Sequence, residues 1–405
     1  MKKGWPVKSI GELCILRPPK AEARSRLKDE SYVSFLPMED MGIDLKYPIP
    51  SKERMLREVD GSYTYFADGD VLLAKITPCF QNGKLGIAKD LRNGTGFGSS
   101  EFFVLRPNPV LNSEYLYYFL SRSIFREEGV LCMGGSVGHQ RVPPDFLLSQ
   151  QIILPSLPEQ QRIVSVLDEA FTGLATAQAN AEKNLQNARA LFESHLQSVF
   201  TQRGKGWVKT KLGDVAEFKN GLNFTRQSKG QTLQIVGVGD FQNNAIVPTD
   251  ALQSVTIDGK LPDDYLIRRD DILTVRSNGS KDLVGRCMLV PEVDGMTSYS
   301  GFIIRIRFNT HTISPRFLLR FMKSSETRAQ LTRDGGGANI SNINQAKLSE
   351  LPISLPSFSQ QVNIADKLDA LANETQRLES LYQQKQAALA ALKKSLLHQA
   401  FTGEL

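Results

Sequence analysis

The sequence predicts an α+β protein built as a tandem repeat. Two mixed α/β domains are expected to be joined by two long antiparallel coiled-coil helices in a pseudo-twofold dumbbell. Three observations carry this. The segment Leu154-Pro155-Ser156-Leu157-Pro158-Glu159-Gln160 returns 201 residues later as Leu355-Pro356-Ser357-Phe358-Ser359-Gln360-Gln361. Each copy opens a long segment poor in glycine, ending near Phe200-Thr201 and Phe401-Thr402 at the same shift. The stretch before each copy repeats too, from Gly4-Trp5 and from Gly206-Trp207.

Composition sets the frame. At 405 residues, 41% hydrophobic and 23% charged, the chain has material for two or three ordinary globular domains. The amino terminus is basic but lacks an apolar run, and no stretch of 18 apolar residues occurs. Neither export nor membrane spanning is therefore expected, and the chain is expected in the cytoplasm. Cys14, Cys79, Cys132 and Cys287 form no CxxC pair, and the four histidines fit no HxxxH spacing, so disulfides and zinc sites lack support. The net charge is +6, yet residues 158–203 carry four basic and five acidic side chains and residues 359–405 five of each. The positive excess thus belongs to the domains, which suits a polyanionic partner.

The first domain is expected over residues 1–157. Tyr32-Val33-Ser34-Phe35-Leu36, Val71-Leu72-Leu73-Ala74-Lys75-Ile76 and Phe102-Phe103-Val104-Leu105 read as strands. Leu116-Tyr117-Tyr118-Phe119-Leu120 falls in a helix, and Gly134-Gly135-Ser136-Val137-Gly138 makes a turn. Residues 158–203 follow as the first long helix. Ile163, Leu167, Ala170, Leu174, Ala177, Ala181, Leu185, Ala188, Phe192, Leu196 and Val199 advance in steps of three and four, a coiled-coil seam.

The second domain, residues 204–357, replays the first. Asp270-Asp271-Ile272-Leu273-Thr274-Val275-Arg276 matches the strand ending in Lys75, and Phe302-Ile303-Ile304 matches Phe102-Phe103-Val104. Phe317-Leu318 matches Tyr115-Leu116, and Gly335-Gly336-Gly337 matches the glycine turn. Residues 358–405 form the second long helix, with a seam of Ile364, Leu368, Leu371, Leu378, Tyr382, Leu389, Leu392, Leu396 and Ala400 interrupted at Thr375 and Lys385. Each helix should reach roughly 60 Å. If the second helix buries its seam against the first, it returns antiparallel along it, which gives the dumbbell; the alternative is that each helix folds back on its own domain.

Catalytic patterns are missing. Pro78 and Val199 stand where a GxxxxGK loop needs glycine, which removes the NTPase reading. Arg17-Pro18-Pro19-Lys20 and Val142-Pro143-Pro144-Asp145 lack the flanking residues of an amino-methyltransferase loop. Asp250 with Asp258-Gly259-Lys260 only faintly resembles a nuclease triad, and no Gly-x-Ser-x-Gly elbow occurs.

What remains is polar loops beside basic residues at matching places. Lys75, Thr77, Gln81, Asn82 and Lys84 follow one strand, and Arg276, Ser277, Asn278, Ser280 and Lys281 follow its counterpart. Gln140 and Arg141, and Asn339, Ser341 and Asn342, accompany the two glycine turns. Lysine and arginine neutralise phosphates or grip guanine, while glutamine and asparagine pair the adenine edge, so these residues are candidate DNA contacts. No catalytic and no metal-ligating residues are assigned.

These segments resemble the specificity (S) subunits of type I restriction–modification systems. The resemblance rests on the helix entry at 154–163 with its copy at 355–364, LLAKITPCFQNGK at 72–84, GFGSSEFFVLRP at 96–107 and RSNGSKDLVGR at 276–286. It implies two target-recognition domains joined by two antiparallel helices, each domain reading half of a bipartite, asymmetric DNA site, with the helices setting the spacer. It further implies a non-catalytic chain that binds no cofactor. The partners would be two methyltransferase (M) subunits that methylate adenine with S-adenosylmethionine, and restriction (R) subunits using ATP and Mg. Ser359-Gln360 stands where the first entry has Pro158-Glu159, so the two partner contacts are not expected to be fully equivalent. A self-sufficient DNA-modifying or cleaving enzyme and a protein-only coiled-coil scaffold are the alternatives.

Overall fold

The computed structural model describes residues 4–405 apart from 137, 203, 205, 226, 243, 281 and 334–341. The chain divides into two compact units, Met1–Ala181 with Gln383–Leu405, and Glu182–Tyr382. The division falls inside both long helices, Leu157–Thr201 and Phe358–Thr402, each of 45 residues or about 68 Å. Each unit therefore owns the start of one helix and the end of the other.

In the first unit a four-stranded antiparallel sheet runs in the order Cys14–Leu16, Phe102–Pro107, Val71–Ala74, Leu85–Ile87. A second sheet orders Lys52–Met55, Tyr32–Leu36, Thr95–Gly98 and Thr64–Ala67, its middle pair parallel. Val7–Ser9 pairs with Gln151–Ile153, so the ends of the repeat close on each other before the helix departs. The three expected strands and the helix are all present, the helix as Ser113–Leu120, where the Asn112 side chain caps the amides of Glu114 and Tyr115.

The second unit repeats this frame. Ala216–Asn220, Ile303–Phe308, Ile272–Val275 and Cys287–Leu289 form the antiparallel sheet, and Val208–Lys211 pairs with Pro352–Leu355. Its second sheet has three strands, Gln253–Thr256, Thr232–Val236 and Thr297–Tyr299. The place of the fourth is taken by the short 3-10 turn Asp263–Tyr265. Phe302, expected within a strand, stands just outside one. In each unit a buried aspartate ties the sheet to a strand arginine: Arg106 grips Asp70 through two nitrogens at 2.7 and 2.8 Å, and Arg307 grips Asp271 at 2.7 Å twice.

The repeated glutamine explains the helix entry. Gln160 is fully buried; its Oε1 accepts from the Asn112 amide at 2.8 Å, and its Nε2 donates to the carbonyls of Val110 and Pro155 at 2.9 and 2.8 Å. Gln361 does the same with the Ser314 amide and the carbonyls of Thr312 and Pro356. One amide side chain thus bonds both the helix entry and the loop that caps the domain helix. The departure at the second entry has a local consequence: Glu159 pairs with Arg162, while Asn363 occupies the matching place.

Helix pairing is antiparallel within each unit. Phe401, from the end of the second helix, packs on Tyr115 and Phe119 in the core that holds Ile163 and Leu167 from the start of the first. In the second unit Leu196 and Phe200, from the end of the first helix, join Phe317, Ala365 and Leu368. All eleven expected seam residues of the first helix are buried or half-buried. One position of the second seam needs correction. Leu392 is 47% exposed, and Lys393 takes the inward slot, its ammonium 5.6 Å from the Phe171 ring centre and 2.9 Å from Asp44. The step after Leu389 is four residues rather than three, and a lysine stem can cover apolar surface while its charge stays wet.

Candidate DNA interface

In both units one end of the antiparallel sheet carries the candidate loops, and the same main-chain bonds assemble it. In the first unit the Lys75 amide donates to the Glu101 carbonyl at 3.0 Å, and the Val142 amide donates to the Lys75 carbonyl at 2.9 Å. In the second, the Arg276 amide donates to Phe302 at 2.9 Å, and the Ile343 amide to Arg276 at 2.8 Å. Isolated bridges join Ile76 to Arg141 and Ser277 to Asn342. The loop after the strand and the segment after the glycine turn, read separately from the sequence, therefore form one edge in each unit.

A glycine at a left-handed position fixes the far side of each edge. Gly83 (φ +76°) and Gly285 (φ +80°) face an arginine, with a built Cβ falling 3.2 Å from Arg126 Nη1 and 3.4 Å from Arg328 Cγ. A side chain at either place would carry backbone strain, and at Gly83 a tight contact as well.

In the first unit the edge is charge-rich and internally paired. Arg141 meets Glu101 through two bonds, Nε to Oε2 at 2.9 Å and Nη2 to Oε1 at 2.8 Å. Lys75 Nζ lies 3.9 Å from Glu101 and donates to the Ser100 carbonyl at 2.7 Å. Thr77 and Gln140 exchange two bonds, through the Thr77 amide and the Thr77 hydroxyl oxygen. Arg17 stands on the opposite side of the same strand end, 6.0 Å from the Phe103 ring centre, while Lys75 approaches that ring at 5.6 Å. Three cations thus surround one carboxylate. The Arg141 bonds hold the Glu101 carboxyl below the usual glutamate range, whereas burial, reinforced by Arg17 and Arg141, lowers the affinity of Lys75 for its proton.

The other first-unit candidates lie elsewhere on the loop. Gln81 and Asn82 are exposed at its tip, and Lys84 turns back to donate to the Met38 carbonyl at 2.7 Å. In the second unit Arg276, Ser277 and Asn278 are half-buried and Ser280 and Asn342 exposed, with the Asn278 side chain accepting from the Ser280 amide at 2.8 Å. Lys281, Asn339 and Ser341 lie outside the described residues. Arg276 Nε is buried and has no hydrogen-bond partner among the described residues, and the same holds for Asn220 Oδ1 and Ser300 Oγ at this sheet end. The faint nuclease pattern resolves into a loop tie, since Asp258 accepts from the Lys229 amide and the Ser228 hydroxyl.

Sequence reasoning missed Glu101, Arg17 and Phe302. The first two belonged to segments weighed for other purposes, and Phe302 read as strand interior. The 201-residue shift of the helix entries could have found the last, because it sets Arg276 in the place of Lys75 and Phe302 in the place of Glu101.

Comparison with known proteins places this frame. The type I restriction modification DNA specificity domain family matches twice, at residues 2–184 and 204–387. The specificity subunit of the Escherichia coli type I restriction enzyme EcoEI is 24% identical, across 95% of this chain and 80% of that protein. A chain solved in work on complex assembly and conformational transition of the type I R-M system superposes with a TM-score of 0.77 at 19% identity, covering 100% of this chain and 99% of the other. The HsdS subunit from Thermoanaerobacter tengcongensis gives 0.66 at 18% identity, with 100% and 98% covered. With both repeats matched by the family and the whole frame shared with solved relatives, the chain belongs to the type I restriction modification DNA specificity domain family.

Proposed function

We propose that this chain reads a bipartite, asymmetric site in double-stranded DNA, one half-site per unit, with a spacer length set by the two long helices. The duplicated sheet edge carries the reading. Identical main-chain bonds hold Lys75, Glu101 and Arg141 in one unit and Arg276, Phe302 and Asn342 in the other. A common frame with different side chains suits two half-sites of different sequence, because frame bonds position a reader and side chains specify.

The chemistry resides on partners in this reading. Two methyltransferase (M) subunits dock on exposed faces of the long helices and use S-adenosylmethionine, and restriction (R) subunits using ATP and Mg complete the enzyme, all in the cytoplasm. The chain itself holds no cofactor and works as the specificity component.

Co-purification with the M subunit tests this. Methyl transfer to DNA is expected from the complex and from neither component alone. Methylation or cleavage by the purified chain would favour an autonomous enzyme, and a complex without DNA binding would favour a protein-only scaffold.

A further inference from the structure

The two edges differ most at one cross-strand pair. Ala74 pairs with Phe102 and Val275 with Ile303, so the next residues, Lys75 with Glu101 and Arg276 with Phe302, stand opposite each other at the strand ends. Directly opposed residues share a face with Cβ atoms about 5 Å apart. In the first unit the pair is ionic, and Glu101 also takes up Arg141. In the second unit the carboxylate is replaced by a benzyl group that is 62% exposed. Asn342 stands where Arg141 does, so the arginine–glutamate lock has no counterpart.

That replacement changes what the edge can bind. Arg276 has no carboxylate partner among the described residues, and its Nε is buried without a hydrogen bond. With Nε sealed from solvent, the two Nη groups are the donors that can reach a ligand, and a pair of such donors matches the O6 and N7 acceptors of guanine, while phenylalanine is among the side chains that pack on the thymine methyl in the major groove. A carboxylate instead accepts from the exocyclic amino group of cytosine. Phe302, 62% exposed at the strand end, leaves most of its ring open to a ligand.

We propose that Arg276 and Phe302 form the base-reading pair of the second unit, the guanidinium on a guanine edge and the ring on the methyl of an adjacent thymine, while Glu101 in the first unit accepts from a cytosine amino group. This rests on the DNA-recognition reading above and adds the chemistry by which the half-sites differ.

The test selects bound sequences from a randomised duplex pool, using the complex with M subunits and comparing wild type with Phe302→Ala, Arg276→Lys and Glu101→Gln. Phe302→Ala and Arg276→Lys should each relax one or two neighbouring positions of a single half-site. Arg276→Lys should weaken binding to the preferred duplex about 5- to 160-fold, the equivalent of losing one bidentate base contact. Glu101→Gln should relax the opposite half only, and the unaltered half serves in every case as an internal control for folding. Three results overturn the inference: a wild-type motif that both second-unit variants leave intact, equal weakening on all sequences with a salt slope lower by about one, as for a phosphate contact, or half-sites lacking the expected guanine–thymine and cytosine. A wild-type complex that enriches no motif would instead overturn DNA recognition itself.

Discussion

Replacing Gln361 by leucine tests whether the repeated helix entry is a structural clamp. The substitution nearly conserves volume, so packing changes little and three hydrogen bonds are lost. Two of their partners, the Ser314 amide and the Pro356 carbonyl, bond to Gln361 in buried surroundings at 2.9 and 3.0 Å; the third, the Thr312 carbonyl, is only partly buried. A buried polar group left without its partner costs about 1–3 kcal/mol, so the two together predict a loss of about 2–6 kcal/mol. Trp5 and Trp207 are the only tryptophans, one in each unit, and Trp207 packs on Phe317 at 6.1 Å. Urea unfolding followed by Trp207 fluorescence in a Trp5→Phe background therefore reports on the affected unit. Asn363→Ala, on the exposed side of the same turn, should shift stability by no more than about 0.5 kcal/mol. A loss below about 1 kcal/mol for Gln361→Leu would refute the clamp and return the motif to a role in partner contact.

Two further perturbations separate neighbouring explanations. Leu392→Lys should be nearly silent, whereas Leu196→Ala, 1% exposed, should cost about 2–5 kcal/mol in thermal or urea unfolding; equal costs would restore the regular seam. Glu101→Gln should lower stability by about 1 kcal/mol at neutral pH, as expected for a bidentate pair near the surface. Because Arg141 depresses the folded-state pKa of Glu101, that contribution is present above the ordinary glutamate value of 4.5 and is lost as pH falls below it. Wild type and Glu101→Gln should thus converge as the pH falls from the ordinary glutamate value through the depressed folded-state one, measured through Trp5 in a Trp207→Phe background. A gap independent of pH would show that the pair does not act through charge.

The parts of the fold legible in the sequence were those written as repetition or period. The shift of 201 residues exposed the duplication, and steps of three and four exposed the seam through Ile163, Leu167 and Leu196. Period alone could not choose between Leu392 and Lys393, because both follow Leu389 at helical spacing and the choice depends on Phe171 and Asp44, far away in sequence. Gln160 and Gln361 were visible as identities, yet nothing local indicates that an amide reaches a loop about fifty residues upstream. At the candidate interface the loops were legible from glycine punctuation and charge. Their union was not, because it depends on bonds such as Val142 to Lys75, and neither was the Glu101–Arg141 pair, forty residues apart. Phe302 looked like one more strand residue until the pairing register placed it at the end.

In the proposed function each unit independently reads its own half of one DNA site. Mapping methylated adenines genome-wide, in cells expressing the M subunit with either wild-type chain or a chain whose residues 276–280 are replaced by alanine and glycine, tests it most directly. The wild type should give a two-part motif and the altered chain a motif with one half preserved and the other degenerate. A motif changed in both halves, or methylation independent of this chain, would contradict it.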